Sequence, residues 1–453
     1  MTKRIAVVGG GLGGLTAARA LVRAGHDVVV LEASARAGGV IATSTDRGFV
    51  REHAASSFLG GPAAGALALC AELGVPVDKA SPAAKGRWIY LDGKLRPLPH
   101  SPLAFARSDL LTWRGKLALL AEPLRAARPA GHDESMHAFA ARRFGPEVAR
   151  AIVAPFVTGV FAADAHEISL EAGFPRLAAL DAAGGVVRGG IASMLSARRT
   201  KRSGDRTAGA KTARGMWAPR GGVGALVDAL AAELGSRVKL GVAVSRVDAT
   251  AGGHEVRVDG VRYDGCVLAI PAPRAAEVVD AELAARLRVF SRAPAALVYL
   301  GYPDAAVGET ARDGFGFLVA SGEALRVLGV VFESTVWSGR APAGTALLRC
   351  IYGGARDPEA AALGDDELIA TARADLGAAL GVAAGVAPVY AAVVRRPGSL
   401  AQYAVGHRDR VAEATVVARS RRIALAGADY RGPGVNDLCA DASVVVSEAA
   451  GWR

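Results

Sequence analysis

The chain has 453 residues, which is long enough for two or three domains that each bury a sizeable core. Apolar residues make up 51% of it and glycines number 56, which excludes a disordered chain. The formal net charge of +11 favours an anionic partner: an acidic ligand, a membrane surface or nucleic acid. The alternative is a basic enzyme whose composition is simply rich in Ala and Arg.

The four cysteines, Cys70, Cys266, Cys350 and Cys439, form no CxxC pair, so no zinc or dithiol site is expected. Their scatter along a long chain suits a reducing compartment. The N-terminal apolar run is short and contains glycines, unlike a signal peptide, and no run of about 18 apolar residues predicts a transmembrane helix. We therefore expect a cytoplasmic protein, with peripheral attachment to the cytoplasmic membrane face as the alternative.

The first predicted elements form a strand, a turn, a helix and a strand. Apolar runs at Ile5–Val8 and Val28–Leu31 are typical of buried parallel strands, and the segment between them, Leu15–Ala24, has helical spacing. A second helix is predicted over Ala63–Leu73. The stretch RWIYLDGKLRPLP predicts a hairpin with Asp92-Gly93 at its turn.

Residues 101–197 have a mostly helical pattern with Pro and Gly breaks. The basic stretch ARRTKRSGDRTAGAKTARG then predicts a surface loop, or a segment that binds an anionic surface. From residue 216 a βα pattern returns, with a helix at Gly224–Leu234 and strands in VKLGVAVSRVDA, HEVRVDG and CVLAIPA. Residues 290–352 are strand-rich, a helix is predicted at 365–380, and a strand, a glycine-rich turn and a helix follow near the C-terminus.

A glycine-rich turn joins the first predicted strand to the first helix. Gly9, Gly11 and Gly14 form a GxGxxG motif, in which the first glycine permits the tight turn and the second lets a pyrophosphate approach the helix N-terminus. The third lets the helix pack closely on the strand. Glu32 ends the second strand, 18 residues after Gly14, where a carboxylate accepts hydrogen bonds from ribose hydroxyls and disfavours the 2′-phosphate of NADP.

A second motif follows at once, Glu32-Ala-Ser-Ala-Arg36-Ala-Gly38-Gly39. Arg36 can neutralise a phosphate, and the two glycines let the backbone approach a cofactor. The pattern ExxxRxGG beyond a Rossmann turn resembles the FAD-containing amine oxidase superfamily, which includes monoamine oxidases, phytoene desaturases and protoporphyrinogen oxidases.

Longer segments narrow the resemblance to the protoporphyrinogen/coproporphyrinogen oxidase family. GFVREHAASSFL resembles the E-x-G-P-N-S-F turn of that family, and DESMHAFAARRFGPEVARAIVAPFVTGVFAADAHEISLEAGFPRL resembles a long and specific segment of it. RWIYLDGKLRPLPHSPLAF, DGFGFLV, RAPAGTALLRCIYGGAR, QYAVGH and LAGADYRGPGVND match further segments in the same order. The resemblance covers nearly the whole chain.

The resemblance implies an α/β fold with a discontinuous Rossmann-type FAD-binding domain, a mixed-sheet substrate domain and a helical insertion. The FAD-binding domain would comprise residues 1–84, 212–272 and 395–453. The substrate domain would comprise residues 85–100 and 273–394. Residues 101–211 would form the helical domain, which corresponds to the part that rests on membranes in this family.

The resemblance also implies how a non-covalent FAD would be bound. Val244 matches the position whose backbone contacts the adenine, and the turn from Gly432 to Asn436 lies near the isoalloxazine, where the dipole of the next helix favours an anionic reduced flavin. With the motif residues, the predicted cofactor site comprises Gly9, Gly10, Gly11, Leu12, Gly13, Gly14, Glu32, Ala33, Arg36, Gly38, Gly39, Val40, Ala54, Ala55, Ser56, Ser57, Val244, Gly432, Pro433, Gly434, Val435 and Asn436.

The predicted substrate site consists of one arginine and three apolar residues. Arg87 matches an arginine assigned to a substrate propionate, with a surface charge on the hairpin as the alternative. Leu318, Val331 and Ile351 match apolar residues that sandwich the tetrapyrrole, with plain core packing as the alternative. No catalytic base and no metal site are expected, because the flavin N5 carries the chemistry; His53 is interpreted as structural.

The turn at Ala54–Ser57 departs from the family, because Ala-Ala-Ser-Ser stands where the family has Gly-Pro-Asn-Ser. Alanine would be strained if its position needs a positive φ, and the loss of proline loosens the turn. The loss of asparagine removes an amide that could face the substrate. We expect FAD binding to survive these changes and substrate identity and rate to be affected.

The predicted function is the FAD-dependent oxidation of a porphyrinogen to a porphyrin in haem biosynthesis, a six-electron dehydrogenation that uses oxygen and releases hydrogen peroxide. The expected partners are the porphyrinogen, molecular oxygen and an anionic membrane surface, and not nucleic acid. Two alternatives stay open: a flavin oxidase of the same scaffold acting on an amine, a polyene or a secondary metabolite, and a non-catalytic flavoprotein partner. The preference between protoporphyrinogen and coproporphyrinogen, and the oligomeric state, also stay open.

Overall fold

The computed structural model describes residues 2–61, 65–126, 128–129, 131–189, 215–249, 252–253 and 255–452. The basic segment 198–214 lies outside these described residues. The strands are β1 (Arg4–Val8), β2 (Asp27–Glu32), β3 (Thr43–Asp46), β4 (Phe49–Glu52), β5 (Phe58–Leu59), β6 (Val77–Lys79), β7 (Arg87–Leu91), β8 (Lys94–Pro97), β9 (Met216–Pro219), β10 (Val238–Leu240), β11 (Val247–Ala249), β12 (Val256–Val258), β13 (Val261–Tyr263), β14 (Gly265–Leu268), β15 (Arg292–Pro303), β16 (Gly316–Val319), β17 (Gly329–Phe332), β18 (Thr345–Gly353), β19 (Tyr390–Ala401) and β20 (Ile423–Leu425).

The α-helices are α1 (Leu12–Arg23), α2 (Ala66–Glu72), α3 (Pro102–Arg107), α4 (Trp113–Leu120), α5 (Met136–Phe144), α6 (Pro146–Val148), α7 (Ala154–Phe161), α8 (Leu170–Gly173), α9 (Pro175–Ala182), α10 (Gly224–Leu234), α11 (Ala272–Val278), α12 (Ala281–Leu287), α13 (Glu309–Arg312), α14 (Glu333–Val336), α15 (Asp365–Leu380), α16 (His407–Arg419) and α17 (Val435–Ala450). A π-helical turn, Ala149–Val153, joins α6 to α7. Within the part of the chain that the structure describes, no helix is both long and apolar enough to cross a membrane.

The first of two compact units comprises Met1–Ala80, Thr212–Arg292 and Arg408–Arg453. Its five-stranded sheet has the order β10-β2-β1-β14-β20, and all of its pairings are parallel. Val7 and Val30 point to one face, which packs against α1, α10 and α17. Ala6 and Leu268 point to the other face, which packs against α11, α12, α16 and the β11–β13 meander. Burial on both faces explains why these strands are almost continuously apolar.

The second unit comprises Ser81–Lys211 and Ala293–His407 and contains a seven-stranded mixed sheet of order β19-β15-β18-β17-β16-β7-β8. One sheet face forms a core with α15. The opposite face is covered at Leu318 by α7, where a Cβ on Gly159 would lie 2.2 Å from the leucine side chain. The glycine therefore allows the close approach of the helix to the sheet.

The division into three domains stays a prediction, but one of its limits falls inside an observed strand. The predicted helical segment shares the second compact unit with the mixed sheet. The predicted boundary between residues 394 and 395 falls inside β19, a single strand of that sheet, so the change of unit comes later, after His407.

Most local elements occur where the sequence predicts them. The strand, turn, helix and strand of the N-terminus are β1, the glycine turn, α1 and β2. Helix α1 begins at Leu12 rather than Leu15, because Gly13 and Gly14 already lie in its first turn. The hairpin of β7 and β8 has positive φ at both Asp92 (52°) and Gly93 (72°), as a type I′ turn requires. The run VKLGVAVSRVDA is interrupted after β10, where Gly241 adopts a φ of 71°.

Candidate functional site

The glycine turn between β1 and α1 has the geometry of a phosphate cradle. Gly9 adopts a φ of 106°, and its N–H donates to Leu31 O at 2.9 Å. A Cβ on Gly14 would lie 2.0 Å from Gly9 O, so a side chain there would push the helix off the strand. A Cβ on Gly11 would meet no protein atom within 4 Å, which leaves the N-terminus of α1 accessible to a ligand.

Glu32 ends β2 and is held rigidly beside this turn. Its Oε2 accepts the Gly10 N–H at 2.7 Å, and its Oε1 accepts the Ser34 N–H at 2.9 Å and the Ser34 hydroxyl. Glu32 is only 8% exposed. The carboxylate is therefore fixed at the strand end, where a ribose would lie over a Rossmann sheet, while Ala33 after it is exposed.

The loop after β2 packs directly on the glycine turn. The Gly38 N–H donates to Gly10 O at 2.7 Å, and a Cβ on Gly39 would lie 3.3 Å from Gly11 Cα. Arg36 donates to carbonyls of its own loop, through Nη2 to Gly39 O at 2.7 Å and through Nη1 to Ile41 O at 3.1 Å. Arg36 thus shapes the loop, and its contact with a phosphate stays a prediction.

The Val244 segment runs alongside the end of β2. The Val242 N–H donates to Glu32 O and the Gly241 N–H donates to Ser34 O, both at 2.9 Å. Val244 is half-buried against the core on that side of the sheet. The fold therefore brings this segment next to the carboxylate predicted to bind the ribose.

The altered turn at Ala54–Ser57 does not carry the strain that an alanine in a left-handed conformation would. The described non-glycine residues with positive φ do not include Ala54, so glycine is not required there. Ala54 and Ala55 pack against the core of the first unit, and Ser56 is buried. The neighbouring His53 has a structural contact, since its Nε2 lies 2.8 Å from Ser44 Oγ.

Glu52, just before this turn, is a residue that sequence reasoning missed. It is 1% exposed and accepts hydrogen bonds from the Val223 N–H at 2.9 Å and the Thr43 hydroxyl at 2.7 Å. These bonds join the β3–β4 hairpin to the segment that enters α10. The sequence carries only a weak indication of this role of Glu52, because its partner Val223 lies 171 residues away in the sequence.

An ion network that sequence reasoning also missed fixes the C-terminal glycine-rich turn. Asp441 accepts the Gly427 N–H at 3.0 Å and pairs with Arg431 Nη1 at 2.6 Å. Arg431 also bonds Leu425 O and, at 2.9 Å, Glu448. Burial raises the pKa of Asp441, although Arg431 and the Gly427 N–H act in the opposite direction. The network ties both ends of the turn to α17.

The segment from Gly432 to Asn436 forms the entry to α17. A Cβ on Gly432 would lie 2.5 Å from Asp437 Cγ, and Asp437 accepts the Gly434 N–H at 3.1 Å. Asn436 accepts from the Ala66 N–H at 2.9 Å and donates to Leu59 O at 2.8 Å. Pro433 is exposed and Val435 is buried.

The predicted cofactor residues all lie in the first unit, and their chemistry fits FAD. The glycine cradle opens at a helix N-terminus for the pyrophosphate, and the buried carboxylate of Glu32 stands ready for the ribose. Glycines at each close contact allow the backbone to approach the ligand. The individual contacts of these residues with FAD stay predictions.

The three predicted apolar substrate residues share one face of the seven-stranded sheet. Phe317, Val330 and Cys350 point into the core on the α15 side. Side chains alternate along a strand, so Leu318, Val331 and Ile351, each one position later, point to the opposite face. Val331 is 8% exposed, and the other two are half-buried.

Two arginines belong to the same face. Arg87, the first residue of β7, is exposed, and its guanidinium lies 5.0 Å from the centre of the Phe315 ring. Arg349 on β18 is the register partner of Val331 and is 7% exposed. Its Nε lies 3.0 Å from Oε1 of the buried Glu333. Sequence reasoning missed Arg349, although an arginine within the apolar run TALLRCIYG was the available signal.

Comparison with known proteins agrees with this architecture. The family model described as flavin containing amine oxidoreductase matches residues 12–437. The chain is 31% identical to protoporphyrinogen oxidase of the chloroplast from Oryza sativa subsp. japonica, over 89% of this chain and 80% of the relative. It is 32% identical to protoporphyrinogen oxidase from Homo sapiens, over 96% of each chain.

A relative of another name and a solved structure also match. Coproporphyrinogen III oxidase from Bacillus subtilis is 25% identical over 99% of this chain and 98% of the relative. The crystal structure named "Putative protoporphyrinogen oxidase" from Exiguobacterium sp. 255-15 has a TM-score of 0.83 and 22% identity, covering 100% of this chain and 99% of that chain. The chain therefore belongs to the flavin-containing amine oxidoreductase family, and it is an FAD-dependent oxidase with a Rossmann-type cofactor domain.

Proposed function

We propose that this chain oxidises a porphyrinogen to a porphyrin in haem biosynthesis. The observation that carries the proposal is that Leu318, Val331 and Ile351 share one sheet face of the second unit, with Arg87 at its edge. The names of the relatives from rice, man and Bacillus subtilis support the same substrate class. Apolar side chains bordered by a cation suit a macrocycle that carries carboxylates.

The overall reaction balances without a catalytic side chain. A porphyrinogen loses six hydrogen atoms as it becomes a porphyrin, and three molecules of dioxygen become three of hydrogen peroxide. Bound FAD would supply the two-electron acceptor chemistry, with dioxygen as the final oxidant. The residues of the chain bind and orient the substrate: the sheet face holds the ring in an apolar environment, and the Arg87 guanidinium binds a propionate.

Anaerobic mixing of the FAD-loaded protein with a porphyrinogen tests the proposal. We expect rapid bleaching of the flavin absorption, and three equivalents of peroxide per porphyrin when oxygen is admitted. Ile351→Gln places an amide on the apolar face and should lower kcat/KM. The matched control, Val289→Gln, changes a valine that is 53% exposed in the first unit and should leave turnover unchanged.

Two outcomes would contradict the proposal in different ways. Bleaching by an amine or a polyene, but not by coproporphyrinogen or protoporphyrinogen, would identify another flavin oxidase of the same scaffold. Bleaching by none of these compounds, with FAD bound, would favour a non-catalytic flavoprotein.

We also propose that the region of α3 and α4 rests on an anionic membrane surface. Trp113 is 66% exposed, Leu120 is 72% exposed and Leu124 is 86% exposed, an unusual amount of apolar surface for neighbouring segments. Lys116 joins the two helices, since its Nζ donates to Ala106 O at 2.9 Å. Large apolar side chains beside basic ones are typical of helices that lie in the membrane interface.

Sedimentation with vesicles tests this attachment. We expect the protein to bind vesicles that contain phosphatidylglycerol more strongly than vesicles of phosphatidylcholine alone. Trp113→Ser with Leu120→Ser should weaken the binding, whereas Val416→Ser, at a 68% exposed valine of α16, should not. Equal binding by the parent and the double variant would contradict the attachment.

A further inference from the structure

We propose that α7 is a hinged lid over the sheet face that carries Leu318, and that it opens to admit the substrate ring and then closes. The inference rests on the proposed function, because that function places the ring on this face. Helix α7 covers the face at Leu318, where a Cβ on Gly159 would lie 2.2 Å from the leucine side chain. No space for a ring remains between the helix and Leu318, so a ring can lie there only after α7 has moved.

The N-terminal end of α7 has the features of a hinge. The preceding π-helical turn closes with a bond from the Ala154 N–H to Ala149 O, five residues back rather than four. Pro155 follows and has no N–H, so it donates neither to Ala151 O, as an α-helix requires, nor to Arg150 O, as the π-helical turn requires. The hydrogen-bond ladder is interrupted where α7 begins, and a helix bends most readily at such a point.

The helices before this hinge are fixed by charged side chains. Arg143 of α5 is fully buried, pairs with Asp181 and donates through Nη1 to Arg125 O at 2.7 Å. Glu147 of α6 accepts the Thr112 N–H at 2.6 Å and the Thr112 hydroxyl at 2.7 Å. Helices α5 and α6 therefore form a firm base for a movement that begins at the π-helical turn.

Helix α7 itself has no comparable side-chain anchor. Its sequence, APFVTGVF, includes no ionisable side chain, so the helix forms no ion pair. The hydroxyl of Thr158, its one polar side chain, donates to Ala163 O at 3.4 Å, just beyond the end of the same helix. Phe156 and Val160 are exposed on its outer side. The helix can therefore leave the sheet without leaving a buried charge unpaired.

A contact at the C-terminal end of α7 can act as the latch of this lid. Ala162 follows the helix in the left-handed conformation, with a φ of 47°, which is uncommon for a residue with a Cβ. Its carbonyl accepts the Ala355 N–H at 2.8 Å, and a Cβ on Gly354 would lie 2.5 Å from the same oxygen. Such a conformation persists only while its surroundings hold it, so loss of the Ala355 bond favours movement of this end.

Gly159 determines how closely the lid can shut. Leu318 also fills the space beside Gly329 on β17, because a Cβ on Gly329 would lie 2.9 Å from the leucine side chain. Leu318 therefore has little room to give way to a methyl group on Gly159. We expect Gly159→Ala to hold the helix away from the sheet, which shifts the lid towards its open state.

Hydrogen exchange of the FAD-loaded protein tests the lid before any ligand is added. We expect the amides of α7 to exchange at least about tenfold faster than those of α5, whose opening must break the ion network. Coproporphyrin III, used as a product-like ligand, should slow exchange in α7 and leave α5 unchanged. Gly159→Ala should speed exchange in α7 alone, whereas the matched control Gly385→Ala, whose Cβ would meet nothing within 4 Å, should change neither helix.

Pro155→Ala tests the hinge, because it supplies the missing N–H donor. In stopped-flow mixing, the observed rate of coproporphyrin III binding should level off at the opening rate of the lid as its concentration rises. Pro155→Ala should lower this plateau by about three- to tenfold, the effect of one backbone hydrogen bond. The matched control is Pro175→Ala, in the first turn of α9, where no N–H donor is needed. It should leave the plateau unchanged.

Two results would overturn the inference. One is exchange in α7 of the ligand-free protein that is as slow as exchange in α5. The other is a binding rate that rises linearly with porphyrin concentration and is unaltered by Pro155→Ala. If Gly159→Ala loses its FAD through misfolding, the Pro155→Ala measurements decide. Failure of the proposed function is a different result, since then neither porphyrinogen would bleach the flavin of the parent protein, whatever the exchange rate of α7.

Discussion

Replacing Glu32 by glutamine should weaken FAD binding through a local and calculable effect. The carboxylate accepts two backbone N–H groups, from Gly10 at 2.7 Å and from Ser34 at 2.9 Å, in a position where it is only 8% exposed. An amide has one oxygen and one NH₂ group, so in the variant an NH₂ group must face one of these N–H donors. The variant also lacks the charged acceptor for the ribose hydroxyls.

The expected loss follows from the hydrogen bonds of a charged acceptor. Each such bond contributes about 1.5–3 kcal/mol, so the loss of one to the ribose raises the Kd for FAD by roughly ten- to 150-fold. Titration of the apoprotein with FAD, followed by quenching of flavin fluorescence, measures this change. Ser34→Ala is the matched control, because it removes only the hydroxyl that donates to Glu32 and keeps the carboxylate, so its shift should be clearly smaller.

A single result would refute this reasoning. If Glu32→Gln binds FAD with the Kd of the parent, and its thermal unfolding shows a normally folded chain, the ribose is not bound by Glu32. A loss of FAD that is matched by an equal loss in Ser34→Ala would assign the effect to the shape of the turn instead.

Three further predictions concern packing, the flavin linkage and pH. Gly14→Ala should lower both Tm and FAD content, because its Cβ would lie 2.0 Å from Gly9 O, whereas Gly385→Ala meets nothing within 4 Å and should change neither. Acid precipitation should release a yellow supernatant, because FAD is expected to be bound without a covalent link. Burial raises the pKa of Cys439, the cysteine that follows the C-terminal turn, to about 12, which disfavours the thiolate that such a link would need. Yellow colour in the pellet would refute a non-covalent FAD. Burial also raises the pKa of Asp375. The proton that its carboxyl group keeps in the folded state therefore stabilises the protein at low pH, and this stabilisation is lost as pH rises through the folded-state pKa. Asp375→Asn should therefore gain Tm relative to the parent between pH 4 and pH 7, and a pH-independent difference would contradict the burial effect.

The sequence predicted best where a short segment determines its own conformation. The glycine turn between β1 and α1 needs residues without a Cβ at positions only a few places apart, so its motif is visible in the sequence. Asp92-Gly93 likewise sets the β7–β8 hairpin through its own backbone angles. The helices α10 and α15 begin and end at the residues that helical spacing predicts.

The sequence predicted less well where one residue satisfies another far along the chain. Glu52 is fixed by the Val223 N–H, and Arg431 is fixed by Asp441 and Glu448. In the sequence, each of these four charged residues is only one charge in a mixed segment. The strain considered for Ala54 depended on a backbone angle that its neighbours set, and the structure does not place Ala54 at positive φ. Such residues acquire a role only when burial removes water as the alternative partner.

The sequence by itself therefore determined the type of fold, the cofactor class and the family, because local backbone geometry and motif spacing are written in adjacent residues. Only the tertiary structure decided which side chains share a surface. Arg87 and Arg349 are 262 positions apart in the chain, yet strand register places them in one row across four strands. Register is fixed by which sheet face buries its apolar residues against α15, a cooperative property of the whole second unit that no single segment contains.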